Sequence, residues 1–238
     1  MNQNKELVKI IKAYDALVNG IDEQATNDND RAYGGIIRAG KGKLVENIAQ
    51  NLVIIAWNNI GGHEGRLAFS SNSIPRKIPV PINKNYLSNI KNTQVKKYIE
   101  NNIDKYVYKI GSDRHVFIDE KFVLAIECKS YTENAMYKRI MVDFQLLKSQ
   151  FPDLNFILLQ LESQLTGDYS QLNDIELGSY STHTITSYFD VYPHIITLLK
   201  GERKVNRPIH KPEYFKELSL DSLQKAVHII ENILKSYV

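Results

Sequence analysis

"FVLAIECKSYTENA", residues 122–135, starts as a buried β-strand and then places two charges before the strand has run its course. Phe122 to Ile126 is unbroken apolar sequence, yet Glu127 and Lys129 follow directly. Side chains alternate faces along a strand, so this carboxylate and this ammonium share one face, with Val123 and Ala125 behind them. Removing either charge from water costs several kcal/mol unless it is paired or holds a metal.

The flanking chain supplies the rest of the sheet. "KYVYKI" (105–110) and "RHVFI" (114–118) precede the quoted strand, separated from each other and from it by "GS" and "DEK". After it, "ENAMYKRIMVDFQLLKSQF" (133–151) carries Met136, Ile140, Phe144 and Leu147 on one helical stripe, and Pro152 stops the helix. "NFILLQLES" (155–163) is a further buried strand, reached by a helical crossover and so expected parallel to its neighbour. Upstream, the spacing predicts helices over 5–18, 42–57 and 93–103, a loop over 19–35, and irregular chain with short edge strands over 61–82. Residues 164–216 read as loop-rich, and a last helix opens at Ser219, a good N-cap. The predicted fold is α/β, a central mixed β-sheet flanked by helices in the order helix, three-strand meander, helix, strand.

A strand that ends in an acid and a lysine suits Mg²⁺-dependent phosphodiester hydrolysis. The ion takes one or two carboxylates, polarises a phosphoryl oxygen and acidifies its bound water, while a lysine orients that water or stabilises developing charge. The second carboxylate must come from the neighbouring strand. Asp119 lies in the turn, roughly 20 Å of strand away from Glu127. Asp113 sits at the far end of the preceding strand. If "DEK" is a three-residue loop, Ile118 pairs with Phe122 and Asp113 falls opposite Glu127 on the same face. A two-residue loop shifts the register by one and turns Asp113 away. In either register Asp113 is the nearer acid.

"SD" at 112–113, thirteen residues, then "ECK" at 127–129 in a strand–strand–helix–strand setting resembles the PD-(D/E)XK nuclease superfamily, its type II restriction endonucleases above all. The resemblance spans about 42–163, taken as the catalytic core of a single domain, 1–238, with DNA-recognition segments within 164–216. It implies that Asp113 and Glu127 ligate Mg²⁺ with the Cys128 carbonyl, and that Lys129 acts on the nucleophilic water. Glu46, on the helix before the sheet, matches a glutamate that many members carry, with Gln50 one turn later. Ser112 stands where the name-giving proline would be. The implied activity is sequence-specific cleavage of double-stranded DNA to 5′-phosphate and 3′-hydroxyl ends by a homodimer in a prokaryotic cytoplasm. A repair or recombination nuclease of the same superfamily, or a non-catalytic DNA-binding protein, are the alternatives.

Other stretches carry residues suited to chemistry or DNA contact. "GIIRAGKG" (35–42) approaches a phosphate-binding loop, but Gly42 replaces the required hydroxyl and no strand precedes it. A helix N-terminus approached by Arg38, Lys41 and Lys43, able to meet a DNA phosphate, is the better reading. "GSYSTHTITSYF" (178–189), with Ser181 and His183, and "KGERKVNRPIHK" (200–211), with Arg203, Lys204, Arg207, His210 and Lys211, are the best DNA-contact segments; Arg76 and Lys77 form a third. His115 shares a face with Asp113 and suits either substrate approach or packing. Cys128 points into the core. The histidines lack zinc-ligand spacing.

Composition bounds these readings. The chain has 238 residues, a formal net charge of +3 and one cysteine, which permits an anionic partner and precludes an internal disulfide. No signal-peptide pattern opens it, and no apolar run approaches the ~18 residues of a membrane span.

Overall fold

The computed structural model describes residues 3–27, 33–70, 77–167, 169 and 178–238. Two long helices, α1 (Gln3–Asn27) and α2 (Tyr33–Asn59), open the chain. They occupy most of the segment predicted as a loop. Ile21 and Ala25 continue the buried stripe of Leu7, Ile10, Tyr14 and Val18, so the apolar period outlasts the polar composition around it. The glycines that read as loop signals, Gly20, Gly34 and Gly35, sit inside the two helices with open space around them. The glycine that packing requires is Gly40, further along α2. A Cβ on Gly40 would meet Ile21 Cδ1 at 2.4 Å, which makes Gly40 the point of close approach between the two helices.

Short elements follow: β1 (Leu67–Phe69), β2 (Ile78–Pro81), α3 (Lys84–Ser88), α4 (Thr93–Glu100) and β3 (Val107–Ile110). Then come β4 (Arg114–Ile118), β5 (Lys121–Glu133), α5 (Asn134–Gln150) and β6 (Asn155–Gln164). The central sheet runs β1-β4-β5-β6, closed by a fifth strand, β7 (His194–Thr197). The β1–β4 and β4–β5 pairs are antiparallel, while β5–β6 and β6–β7 are parallel, so the sheet is mixed. The strand expected at 105–110 exists as β3 but is no part of a meander. It pairs with β2 in a separate two-stranded sheet, and β1 takes the edge beside β4. Pro79 and Pro81 cannot donate to a ladder on both sides, which suits β2 to such a ribbon. The four-residue β7 and the helix α6 (Tyr180–Thr186) both fall inside the stretch read as loop-rich. The last helix, α7 (Leu220–Leu234), is capped by Ser219, whose side chain accepts the Ser222 N–H.

Each face of the sheet has its own core. On one side Val116, Leu124, Ile126, Cys128 and Leu159 pack with residues of α1, α2 and α7, Trp57 and Leu223 among them. On the other, Phe122, Ala125, Phe156 and Leu158 pack under Tyr137, Ile140 and Phe144 of α5. Among the described residues no helix is long and apolar enough to cross a membrane.

The β4–β5 hairpin sets the register that matters for chemistry. Ile118 pairs with Lys121, so the loop is the two residues Asp119 and Glu120, both at positive φ (48° and 65°). Such a loop alone would turn Asp113 to the wrong face. A bulge corrects it: Phe117 pairs with Phe122, but Val116 pairs with Leu124, leaving Val123 as an extra residue on β5. Beyond the bulge Arg114 pairs with Ile126, and one further step sets Asp113 opposite Glu127. Val123 consequently joins Leu124 in the core on the α2 side and does not share the face of Glu127.

Glu120 has a side chain in a region that costs non-glycine residues about 1–2 kcal/mol. Glu120→Gly is expected to raise the melting temperature by about 2–4 °C in a calorimetric scan, since that shift corresponds to about 1 kcal/mol in a chain of this size.

Candidate active site

Asp113, Glu127 and Lys129 converge at the open end of the β4–β5 pair. Lys129 Nζ donates to Glu127 Oε1 at 2.5 Å and to Asp113 Oδ2 at 3.2 Å. The backbone N–H of Cys128 donates to the same Asp113 Oδ2 at 2.8 Å. A residue in an extended strand sends its N–H and C=O toward the same neighbour, so the Cys128 carbonyl also leaves on the Asp113 side. Its thiol goes the other way into the core, where burial and then the surrounding carboxylates push its pKa well up.

The site carries more negative than positive charge. Burial first, then the Asp113 carboxylate, raises the pKa of Glu127, against the opposing pull of Lys129. Burial lowers that of Lys129, but Glu127 and Asp113 outweigh it and the net shift is upward, so the amine stays an ammonium. Asp143, half-buried on α5, is raised mainly by burial, and its charge is felt at Glu127. Two carboxylates, a strand carbonyl and an uncompensated anion suit a hard divalent cation that keeps much of its own water. Among the described residues no three His, Cys, Asp or Glu side chains form a ready-made cage.

The acid loop is itself pinned. Arg114, almost fully buried, donates through Nη1 to the Asp113 carbonyl at 3.1 Å and pairs with Glu46 Oε2 at 2.7 Å. Glu46 is thus tied to the Asp113 loop through a guanidinium. The charge pattern of the sequence could have flagged Arg114, which follows Asp113 directly; the field of Asp143 shows only once α5 is packed over β5.

The basic residues divide into two groups. Arg38, Lys41 and Lys43 lie inside α2, well past its N-terminus, which removes the helix-end phosphate site expected there. Lys41 is buried and donates to His210 Nδ1 at 3.1 Å, so the other ring nitrogen bears the proton facing Tyr33 Oη, also at 3.1 Å. Tyr33 donates to Asp22, which also binds Lys211 at 2.8 Å. Burial and then the Lys41 charge lower the pKa of His210. Arg203 is placed differently: its guanidinium lies 3.7 Å over the Tyr131 ring and donates to Gln164 Oε1 at 2.7 Å. Tyr131 is two residues beyond Lys129 on the same face of β5. Arg38, Lys43, Lys77, Ser181, His183, Lys204 and Arg207 are exposed, and Arg76 lies outside the described residues.

No family model matches the chain. A curated relative, the Type II restriction enzyme DdeI of Desulfomicrobium norvegicum, is 49% identical over 236 residues, covering 97% of this chain and 97% of the relative. A solved structure titled "native BbvCI A2B2 tetramer at low resolution" matches 98% of this chain and 90% of its own at 12% identity and a TM-score of 0.34, too low to carry an argument.

A carboxyl with a raised folded pKa binds its proton more tightly in the native state than in the unfolded one. Its contribution to stability therefore declines as pH rises from the ordinary glutamate value of 4.5 upward. Glu127→Gln is expected to flatten that part of the stability–pH curve and to melt higher than the parent at pH 7; scanning calorimetry across this range checks it.

Proposed function

The chain belongs to the type II restriction enzymes, and on that premise we propose that it is a Mg²⁺-dependent, site-specific endonuclease of double-stranded DNA whose chemistry runs at Asp113, Glu127 and Lys129. The observation that carries the reading is the single ammonium shared by two carboxylates, one on β5 and one in the turn that enters β4. Asp113, Glu127 and the Cys128 carbonyl would hold the ion. When bound, Mg²⁺ neutralises a non-bridging phosphoryl oxygen and lowers the pKa of water.

The chain's own residues do the rest. Lys129, kept charged by its two acids, is a donor and not a base. It holds the attacking water and stabilises negative charge gathering at phosphorus. Water oxygen bonds to phosphorus as it gives up a proton to solvent. The bond from phosphorus to the 3′-oxygen breaks with its electron pair on that oxygen, which takes a proton from solvent. The products are a 5′-phosphate and a 3′-hydroxyl. One such site cuts one strand, so cleavage of a duplex at a palindrome calls for two copies related by a two-fold axis. The two cores share one sheet, which supports a single domain over 1–238.

For DNA contact we assign the exposed cations Arg38, Lys43, Lys77, Lys204 and Arg207, the exposed Ser181 and His183 of α6, and the oriented Arg203. Lys41 and His210 are spent on each other and Lys211 on Asp22, and they shape the 200–211 loop instead.

Incubation with a defined plasmid and Mg²⁺, followed by sequencing of fragment ends, tests the reading directly. Lys129→Ala is expected to slow cleavage at least 10²- to 10³-fold, the scale for losing one donor to developing charge, and EDTA to stop the parent enzyme; a variant that cuts like the parent would remove the site. For Arg203→Ala, the slope of log affinity against log salt is expected to fall by about 0.9, the value for one lost phosphate contact, as read by fluorescence anisotropy on a duplex in Ca²⁺.

A further inference from the structure

The turn that delivers Asp113 contains a buried backbone donor with a specific acceptor. Ser112, almost fully buried, donates its N–H to His115 Nε2 at 3.0 Å. Its hydroxyl donates to the Arg114 carbonyl at 3.1 Å. His115 has no solvent exposure, and its ring lies 4.6 Å from that of Phe122 across the hairpin. An imidazole so packed cannot follow the turn if the turn moves. A proline at position 112 would have no N–H to satisfy. This chain has serine there, and leaving that buried donor without an acceptor would carry a full desolvation penalty.

We propose that His115 is a positioning residue for Asp113: by accepting the Ser112 N–H it fixes the 111–115 turn in the one geometry that sets the Asp113 carboxylate between Cys128 N–H and Lys129. The inference rests on the reading of Asp113 as an ion ligand, but it concerns the metal-free protein and is testable there. Three contacts fix the turn. His115 holds the Ser112 nitrogen, the Arg114 carbonyl holds its hydroxyl, and Arg114 Nη1 holds the Asp113 carbonyl. The second is internal to the turn, and the third comes from a guanidinium that is itself held by Glu46 of α2. Only His115 anchors the turn to the aromatic core beneath β5.

The exchange measurement uses the full chain without metal, and a cleavage titration with Mg²⁺ accompanies it. The Cys128 amide donates to Asp113 Oδ2, so its hydrogen exchange reports whether that carboxylate is in place. Leu124, in the same strand, serves as the reference for overall stability. His115→Phe keeps a ring in the core but removes the acceptor. Cys128 exchange is expected to quicken about tenfold relative to Leu124, the scale of one buried donor left unmet. The Mg²⁺ concentration for half-maximal cleavage should rise by a similar factor, with the rate at saturating Mg²⁺ little changed. His115→Gln returns an acceptor oxygen at comparable reach and should restore both readings. Equal changes at Cys128 and Leu124, or a glutamine variant as impaired as the phenylalanine one, would overturn the proposal. Asp113→Asn separates the two layers. If it cleaves like the parent, the ion-site reading fails. If it is inactive while His115→Phe leaves Cys128 exchange unmoved, the positioning role alone fails.

Discussion

Asp113 reaches Glu127 only because one residue of β5 is left unpaired. The two-residue loop at Asp119 and Glu120 sets a register in which position 113 would face α2, and the bulge at Val123 shifts it back. A strand has a period of two, so this one-residue correction decides which face every later side chain occupies. Below the bulge the effect is ordinary packing, with Val123 and Leu124 both turned toward α2 and α7. Above it the effect is electrostatic. Without Asp113, the Glu127–Lys129 pair would be two half-buried charges at the end of an apolar strand. With it, the ammonium has two acids to hold, and the strand end acquires a surplus negative charge.

That surplus is destabilising by itself, which is why it is informative. A pair of opposite charges could have been made neutral and better satisfied, and Glu127 would then titrate low. Its pKa lies above the ordinary value despite a lysine at 2.5 Å, because burial and the second carboxylate outweigh that lysine. A carboxyl raised by burial and a second acid, with a specific charge partner beside it, is the kind of group that functional sites arrange. The family to which the chain belongs, reached by the identity of its relative along nearly its whole length, is independent of this electrostatic reasoning and points the same way.

The sequence was most legible where local pattern and tertiary packing agree. The strands β4, β5 and β6 and the helix α5 are long apolar runs with unambiguous periods, and their order already implied a parallel crossover. The acids could be ranked from chain length alone. What failed was information held in partners. The β3 strand reads like a sheet member, but its pairing with β2 depends on prolines thirty residues away in sequence. The α1 helix runs through Asn, Asp and Gly because Ile21 and Ala25 have a neighbour to pack against. The sequence leaves a two- or a three-residue loop open, and only the latter sets Asp113 opposite Glu127 by itself; the structure reaches that pairing by the shorter loop plus a bulge, a combination that no residue in "DEK" announces. Lys41 and His210 looked like surface cations, and only their burial against each other reveals otherwise.

The division among the basic residues shows how the loop from 200 to 211 is held. The segment from 200 to 211 is held at both ends by charge pairs. Lys216 binds the carbonyls of Gly201 and Glu202 and pairs with the buried Glu162, while Lys41, Tyr33 and Asp22 hold His210 and Lys211. Between these anchors Lys204, Val205, Asn206 and Arg207 are exposed, and Arg203 is flattened on Tyr131, in line with Glu127 and Lys129. Immobilising long cations at the moment of binding costs affinity, and a loop fixed beforehand avoids part of that cost. The same strand carries Glu127, Lys129 and, at 131, the ring that orients Arg203, so any shift of β5 against its neighbours would disturb the acid–lysine cluster and the arginine together.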